Sequence, residues 1–330
     1  MRHVVVLASV LTLTACSAQA PSQSAAPAAT PAATPAATPG RASAPSSGAD
    51  YRSLQALLEA QMPTIPAKAG IWVKHLTTGE EGSVSADDTF NSASVIKIPV
   101  AVQALEMVDA GTLKLNDRTT LRADDIRGGS GIFRYHDAGL QPTLRDILLQ
   151  MIITSDNTAT DLAIAKVGGV ASVNAWLAKA GYGDRMKLVQ TTGDLFKKYD
   201  GLTPADDRNA KTNSDHAFWL GELTPRATGL MLEAIEQRTL PSKAGADELM
   251  RMMRVQQSGA RRLPHFLVGV PVAHKTGDFG PVLANDVGIV YARSGPIVVS
   301  FFLNAITEPY GEAEDRMGRI TQQIVEYFDR

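Results

Sequence analysis

The spacing of apolar residues divides the folded part of the chain into zones of helical and strand-like pattern. In residues 51–62 the apolar side chains recur every three or four positions, which predicts an amphipathic helix. Residues 70–76 are instead apolar and rich in β-branched and aromatic types, and they end at Thr77-Thr78-Gly79, a turn signal. The folded part is therefore predicted to begin with a helix followed by a strand.

Helical spacing dominates the middle of the chain, and a strand-like pattern returns near its end. The predicted helices of the middle are residues 96–111, 143–153, 159–166, 170–180, 227–237 and 245–255. The predicted C-terminal elements are strands at residues 270–274, 286–291 and 297–303 and a closing helix at residues 312–328.

Because strand-like segments occur near both ends, an early strand can join the C-terminal strands in one antiparallel sheet. We therefore expect an α+β fold for residues 51–330. Its α/β part would comprise residues 51–93 and 265–330, and residues 94–264 would form an inserted all-α part.

The first residues have the pattern of an export signal. A short basic start precedes the apolar run of residues 4–13, which is too short to span a bilayer. The run ends in Leu13-Thr14-Ala15-Cys16, which resembles a bacterial lipoprotein cleavage site. We expect residues 1–15 to be removed and Cys16 to carry lipid. An ordinary secretory signal, cut near residues 18–20, is the alternative.

Residues 16–50 are predicted to be a disordered tether. They are dominated by Ala, Pro, Ser and Thr, and they lack the large apolar side chains that folding requires. Their prolines favour an extended spacer that would hold the domain off a membrane, although a leader without such a role is also compatible. Ser17 rather than Asp follows the cysteine, so we expect an exported protein on the outer membrane, facing the periplasm.

Charge and cysteine content exclude several classes of function. The chain has 32 Lys and Arg against 34 Asp and Glu and contains no basic block, so nucleic acid is not an expected partner. Its six histidines form no H-E-x-x-H pattern or Cys/His cluster, so we expect neither a metal ion nor another cofactor. Cys16 is the only cysteine, so no intrachain disulfide can form.

Three short motifs carry the candidate chemistry: Ser94-Val95-Ile96-Lys97, Ser155-Asp156-Asn157 and Lys275-Thr276-Gly277. The first pattern occurs about once by chance in a chain of this length, but each exact tripeptide is expected only roughly 0.05 to 0.1 times. Their joint presence indicates a catalytic serine rather than coincidence.

The first motif provides a nucleophile and a base. A serine hydroxyl is a weak nucleophile, and it needs a base within hydrogen-bond reach. Ser94 and Lys97 are three residues apart at a predicted helix start, so they share one face. Free N–H groups at that helix end can stabilise an oxyanion. The positive helix end and burial both disfavour a charged Lys97, which can then act as a base.

Two neighbouring features affect this helix start. Asn91 and Ser92 are the predicted N-cap residues. Pro99 lies one turn into the predicted helix, where it is expected to cost a backbone hydrogen bond.

In this order the motifs resemble those of the class A β-lactamase-like serine hydrolases and the penicillin-binding proteins. The resemblance covers nearly all of residues 51–330 and includes Asn285-Asp286 after the third motif. It implies a β-lactamase/transpeptidase-like fold, in which helices flank the antiparallel sheet. We expect a monomer that acts on a small-molecule β-lactam or a peptidoglycan peptide and contacts the membrane through its lipid.

The resemblance also implies roles for the first two motifs. Ser94 would be the nucleophile, and Lys97 its base. Ser155 would relay a proton to the leaving nitrogen. Asn157 would hold a substrate amide and the Lys97 ammonium.

The third motif would lie on an edge strand facing Ser94. Lys275 and Thr276 would bind a substrate carboxylate and tune Ser155, and Gly277 would let the ligand approach the backbone. The N–H of Asp278 would complete the oxyanion hole, although its acidic side chain is unusual there and is expected to narrow substrate choice. Arg262 lies near the place of a carboxylate-binding arginine in some members, and an ordinary surface arginine is the alternative.

The resemblance fails at the residue that hydrolyses the acyl-enzyme in class A β-lactamases, the glutamate of an E-x-x-L-N pattern. Thr192 stands where the glutamate is expected, and Phe196 stands in place of the asparagine. The loop beyond, residues 197–222, offers four substitute bases: Asp200, Asp206, Asp207 and Asp215. The residues expected for acylation are thus all present, whereas the glutamate expected for deacylation is absent.

Three functions remain compatible with these residues. The first is a serine hydrolase that opens β-lactams or related amides and esters, with slow deacylation. The second is a D-alanyl-D-alanine peptidase acting on peptidoglycan. The third is a protein that binds β-lactams or wall peptides without turnover.

Overall fold

The computed structural model describes residues 47–202 and 205–330. The predicted signal peptide, Cys16 and nearly all of the predicted tether lie outside these residues. Residues 47–50, which we assigned to the tether, instead form a short 3₁₀ turn on the domain. Gly48 is buried there, and its N–H donates to Glu326 Oε2 at 3.0 Å. The boundary predicted at residue 51 is therefore wrong, because the folded domain already includes Ser47.

The described residues contain eight β-strands, five of which form the main antiparallel sheet in the order β2-β1-β8-β7-β6. In chain order they are β1 (Lys68–His75), β2 (Glu81–Val84), β3 (Phe90–Asn91), β4 (Met186–Leu188), β5 (Gly221–Leu223), β6 (Val272–Phe279), β7 (Leu283–Ala292) and β8 (Gly295–Asn304). The early strand β1 pairs with β8, with Ile71 opposite Phe301. The predicted α+β fold, with one antiparallel sheet built from both chain ends, is confirmed.

The described residues also contain ten α-helices. They are α1 (Leu54–Gln61), α2 (Lys97–Asp109), α3 (Leu144–Ile153), α4 (Asn157–Lys166), α5 (Gly169–Lys179), α6 (Thr192–Asp200), α7 (Ala205–Ser214), α8 (Pro225–Glu236), α9 (Lys243–Met253) and α10 (Tyr310–Asp329). The predicted helices are all present. Helices α6 and α7 lie in or next to the stretch expected to be a loop, and α7 escaped prediction because its sequence is polar throughout and shows no apolar period.

The middle of the chain is not all-α, as we had expected. Strands β4 and β5 form a small second sheet with β3, in the order β3-β5-β4. Helix α8 packs directly on the main sheet, where a methyl group built on Gly229 would lie 2.1 Å from the Trp72 ring. The middle part therefore shares its core with the sheet.

The main sheet is buried on both faces. Because side chains alternate along a strand, Ile71 and Val73 pack toward α1 and α10, whereas Trp72 faces the helical part. Strand β6 ends the sheet on the side where the helical part begins, so it forms one wall of the cleft between them. Within the described residues, no helix is long and apolar enough to cross a membrane.

Candidate active site

Ser94 lies in a 3₁₀ turn, Ala93–Ile96, that leads into α2. Residues three apart eclipse in a 3₁₀ turn, so Ser94 and Lys97 share one face as predicted. Asn91 caps the turn, because its Oδ1 accepts the N–H of Ala93 at 3.1 Å. Ser92 occupies the predicted N-cap position, but its side chain makes no capping hydrogen bond.

Pro99 is better tolerated than expected. The α-helix begins at Lys97, so Pro99 lies in its first turn. The first N–H groups of a helix have no intrahelical partner, and the missing donor of Pro99 therefore costs little there.

Lys97 is completely buried, and its ammonium reaches two residues of the second motif. Its Nζ donates to the Ser155 carbonyl at 2.6 Å, to Ser155 Oγ at 3.1 Å and to Asn157 Oδ1 at 3.0 Å. Burial, reinforced by the charge of Lys275, holds the pKa of Lys97 well below its usual range. The lowered pKa favours the neutral amine, which is the form that can accept a proton.

Ser155 lies between α3 and α4 in a left-handed backbone conformation, with φ of +55°. Its Oγ accepts from Lys97 Nζ and from Lys275 Nζ, both at 3.1 Å. The next residue, Asp156, caps α4 by accepting the N–H of Ala159 at 2.8 Å. The second motif thus both starts a helix and places one hydroxyl between two amines.

Lys275 and Gly277 face the Ser94 turn from the edge strand β6, as the resemblance implied. Lys275 is completely buried, and burial lowers its pKa to about 8 despite the opposing effects of Asp278 and Asp286. A methyl group built on Gly277 would lie 2.5 Å from the Ser92 carbonyl oxygen and 3.3 Å from the Ser94 nitrogen. Only glycine lets the strand lie this close to the nucleophile.

Residues of the first two motifs and Asp278, which directly follows the third motif, line a cavity of about 370 Å³. Its polar lining includes Ser94, Ser155, Asn157 and Asp278, while Leu195, Phe196, Tyr199, Phe218 and Phe279 supply an apolar wall. The structure therefore brings a half-buried serine, a proton relay and an apolar binding surface into one cleft.

Ser130 is a site residue that no sequence motif indicated. Its Oγ donates to the Ser155 carbonyl at 2.6 Å. The same loop fixes Asn157, whose Nδ2 donates to the Gly128 carbonyl at 3.0 Å. The only available signal was the glycine-rich run Gly128-Gly129-Ser130-Gly131, in which Gly129 and Gly131 have positive φ.

Residues 51–328 match the beta-lactamase enzyme family. The chain belongs to that family.

Individual relatives in the family are distant but cover most of this chain. Beta-lactamase L2 of Stenotrophomonas maltophilia is 25% identical, over 86% of this chain and 89% of its own. The structure of a beta-lactamase from Sphaerobacter thermophilus is 27% identical, with a TM-score of 0.70 over 85% of this chain and 97% of its own. PBP-A is 25% identical, with a TM-score of 0.71 over 84% of this chain and 97% of its own. The chain is accordingly a β-lactamase-like serine hydrolase that works by acyl transfer.

Thr192, which the sequence comparison of motifs predicted at the place of the deacylating glutamate, is buried and bonded to the carboxylate of Asp161. Its N–H and Oγ1 donate to Asp161 Oδ1 at 2.7 and 2.8 Å. The other oxygen of Asp161 accepts from Gly193 N at 2.9 Å and from Arg127 Nε at 2.7 Å. Four donors therefore hold Asp161, which leaves it poorly placed to deprotonate a water molecule.

Phe196 makes the same region apolar. Its ring lies 3.0 Å from the place where a methyl group on Gly129 would be, and it lines the cavity. Asp200, Asp207 and Asp215 are not among the cavity-lining residues, and Asp215 instead bonds Lys211 at 2.8 Å. The side chain of Asp206 lies outside the described residues. The described part of the loop thus supplies none of the substitute bases that we had suggested.

Arg262 is not a surface residue, so that alternative made from the sequence is wrong, and it is not among the residues that line the cavity. Its side chain is 2% exposed, and it pairs with Asp278 and with Glu314, the latter at 2.9 Å. It also donates to Tyr310 Oη at 2.9 Å. The guanidinium is therefore held by groups of the protein itself.

Proposed function

We propose that this protein opens β-lactams or related amides and esters through an acyl-enzyme on Ser94 and releases the acyl group slowly. The observation that carries the proposal is the combination of a continuous Lys97–Ser155–Lys275 relay with a hydroxyl, Thr192, at the position of the deacylating base.

In the proposed acylation, Lys97 is the base, Ser155 is the proton relay, and two backbone N–H groups form the oxyanion hole. Neutral Lys97 takes the proton of Ser94 while Ser94 Oγ attacks the carbonyl carbon, and the N–H groups of Ser94 and Asp278 stabilise the oxyanion. The proton then passes from Lys97 through Ser155 to the leaving nitrogen as the carbon–nitrogen bond breaks. Lys275 keeps Ser155 oriented by donating to its Oγ.

The names of the relatives support β-lactams as the substrate class. Beta-lactamase L2 and VEB-1, a beta-lactamase of Pseudomonas aeruginosa, are among the curated relatives. A PBP-A variant with a leucine-to-glutamate substitution is described as an acyl-enzyme complex with penicillin G, and it is 25% identical to this chain.

A second candidate is a penicillin-binding protein, either a D-alanyl-D-alanine peptidase or a protein acylated without turnover. Thr192 at the predicted place of the deacylation base and the likeness to PBP-A are compatible with it. Turnover of the adduct separates the two candidates.

We also propose that the domain is anchored through lipid on Cys16, at the outer membrane and facing the periplasm, and that it acts as a monomer. The sequence Leu13-Thr14-Ala15-Cys16 and the Pro-rich segment after it support this arrangement.

Intact-protein mass spectrometry after mixing with penicillin G tests the proposal. We expect a stoichiometric adduct that decays slowly, and peptide mapping should place it on Ser94. Lys97→Ala should not acquire the adduct, because it lacks the base. Labelling of another residue, or full labelling of Lys97→Ala, would refute the assignment.

A further inference from the structure

Asp278 places a carboxylate at the end of the cavity where the resemblance put a substrate carboxylate. Side chains alternate along β6, so Thr276 and Asp278 share one face of the strand. Thr276 Oγ1 lies 2.7 Å from Ser258 Oγ, and Ser258 lines the cavity together with Ser155 and Asp278. A group bound near Thr276 would therefore adjoin Asp278.

The Asp278 carboxylate is held by one oxygen. Its Oδ1 accepts from the Arg262 guanidinium and from Tyr310 Oη, the latter at 3.3 Å. Its Oδ2 has no hydrogen-bond partner within the part of the chain that the structure describes, and the side chain is 43% exposed. One oxygen is thus fixed, and the other is available to a ligand.

Arg262 does not make this end of the cavity positive. Its single charge is shared between Asp278 and Glu314, so these three groups carry one positive and two negative charges. Lys275 adds one positive charge, but burial lowers its pKa to about 8. The four groups together offer no surplus positive charge to an anionic substrate.

We propose that Asp278 is a specificity-determining residue: it disfavours a carboxylate next to the scissile amide and favours substrates with a neutral or cationic N–H donor there. The inference rests on the proposed Ser94 acylation and adds the chemical class of the substrate. Such substrates include amides and lactams that present an amide or an ammonium group to Asp278 Oδ2.

Three probes test this inference: a fluorescent penicillin, its methyl ester, and an analogue with an aminomethyl group in place of the carboxylate. The second-order rate constant of Ser94 acylation is measured for each probe with the full chain. Asp278→Asn keeps the size of the side chain but removes its charge. It should raise the rate constant of acylation by the penicillin acid about tenfold or more, because unit charges a few ångströms apart interact strongly in a protein. The rate constant for the methyl ester should change little, and that for the aminomethyl analogue should fall.

Two further variants separate the effect of Asp278 from general changes. Glu314→Gln removes the other carboxylate from Arg262 at a position that does not line the cavity, so it should shift the acid-to-ester ratio much less than Asp278→Asn. Asp278→Ser also removes the carboxylate, and it serves as an independent variant if the asparagine disturbs the Arg262 contacts.

The outcomes distinguish this inference from the proposed function. Adducts that form with an acid-to-ester ratio unchanged in both Asp278 variants would overturn the specificity role and leave Ser94 acylation intact. Absence of adducts with all three probes in every protein would overturn the proposed function, and this inference with it.

Discussion

Restoring a glutamate at position 192 should not work alone, because the structure places that residue against Asp161. Thr192 is 1% exposed, and its Oγ1 lies 2.8 Å from Asp161 Oδ1. A glutamate there would bring a second carboxylate close to one that Arg127 and Gly193 already hold. We predict that Thr192→Glu is destabilised and that adding Asp161→Asn relieves the penalty.

The size of the penalty follows from Coulomb's law. Two carboxylates about 5 Å apart repel by about 3 kcal/mol at an effective dielectric constant of about 20. Loss of the Thr192 hydroxyl bond adds about 1 kcal/mol. A penalty of this size should lower the melting temperature of Thr192→Glu by roughly 10 °C. With Asp161→Asn the charge repulsion disappears, so the two substitutions should couple favourably by about 2 to 3 kcal/mol.

The assay combines a double-mutant cycle of unfolding free energies with acylation and deacylation rates for penicillin G. The double variant Thr192→Glu with Asp161→Asn should deacylate about 10²- to 10⁴-fold faster than Asp161→Asn alone, the usual contribution of a general base. Its acylation rate should stay similar, because the Lys97–Ser155–Lys275 relay is untouched. Thr192→Gln with Asp161→Asn is the matched control, and its deacylation rate should not exceed that of Asp161→Asn alone.

Two results would refute this reasoning. A Thr192→Glu protein as stable as the wild type would show that Asp161 does not oppose a carboxylate at this position. A double variant that deacylates no faster than its glutamine control would show that the missing base does not limit turnover, and the apolar Phe196 would then be the next group to replace.

Three other predictions concern the relay, the strand and the anchor. Lys275→Met should abolish acylation without loss of stability. Burial lowers the pKa of Lys275 from 10.5 to about 8, so its ammonium destabilises the fold by about 3 kcal/mol below pH 8, and this cost fades as the pH rises to 10.5. The substitution removes that cost but loses two hydrogen bonds, worth about 2 kcal/mol. A fall of more than about 5 °C in its melting temperature at pH 7 would contradict this. Gly277→Ala should slow acylation at least about tenfold, since its methyl group would lie 2.5 Å from the Ser92 carbonyl, and unchanged rates would refute the close approach. Cys16→Ser should move the protein from the membrane to the soluble fraction, and unchanged fractionation would disprove the anchor.

The sequence predicted the secondary structure that depends only on residues close together in the chain. Helical spacing is local, so the helix that follows Ser94 and the helices on either side of Ser155 were predicted correctly. Strand β6 was predicted too short, at residues 270–274, because the polar residues after His274 have no strand-like pattern. They join the strand because β7 pairs with them, with Lys275 opposite Val287 and Asp278 opposite Ala284.

The candidate residues for acylation could be predicted from the sequence itself, because three spaced motifs supply the proposed nucleophile, base and relay. Only the tertiary structure decided which groups neutralise one another. Arg262 meets Glu314 across 52 residues, and Asp161 meets Thr192 across 31. The periodicity of a single helix or strand cannot predict such pairs, because they form only when separate helices and strands pack together. For this reason the sequence could not show that Arg262 is paired with Glu314 and Asp278. Nor could it show that, among the described residues, one carboxylate oxygen of Asp278 has no hydrogen-bond partner.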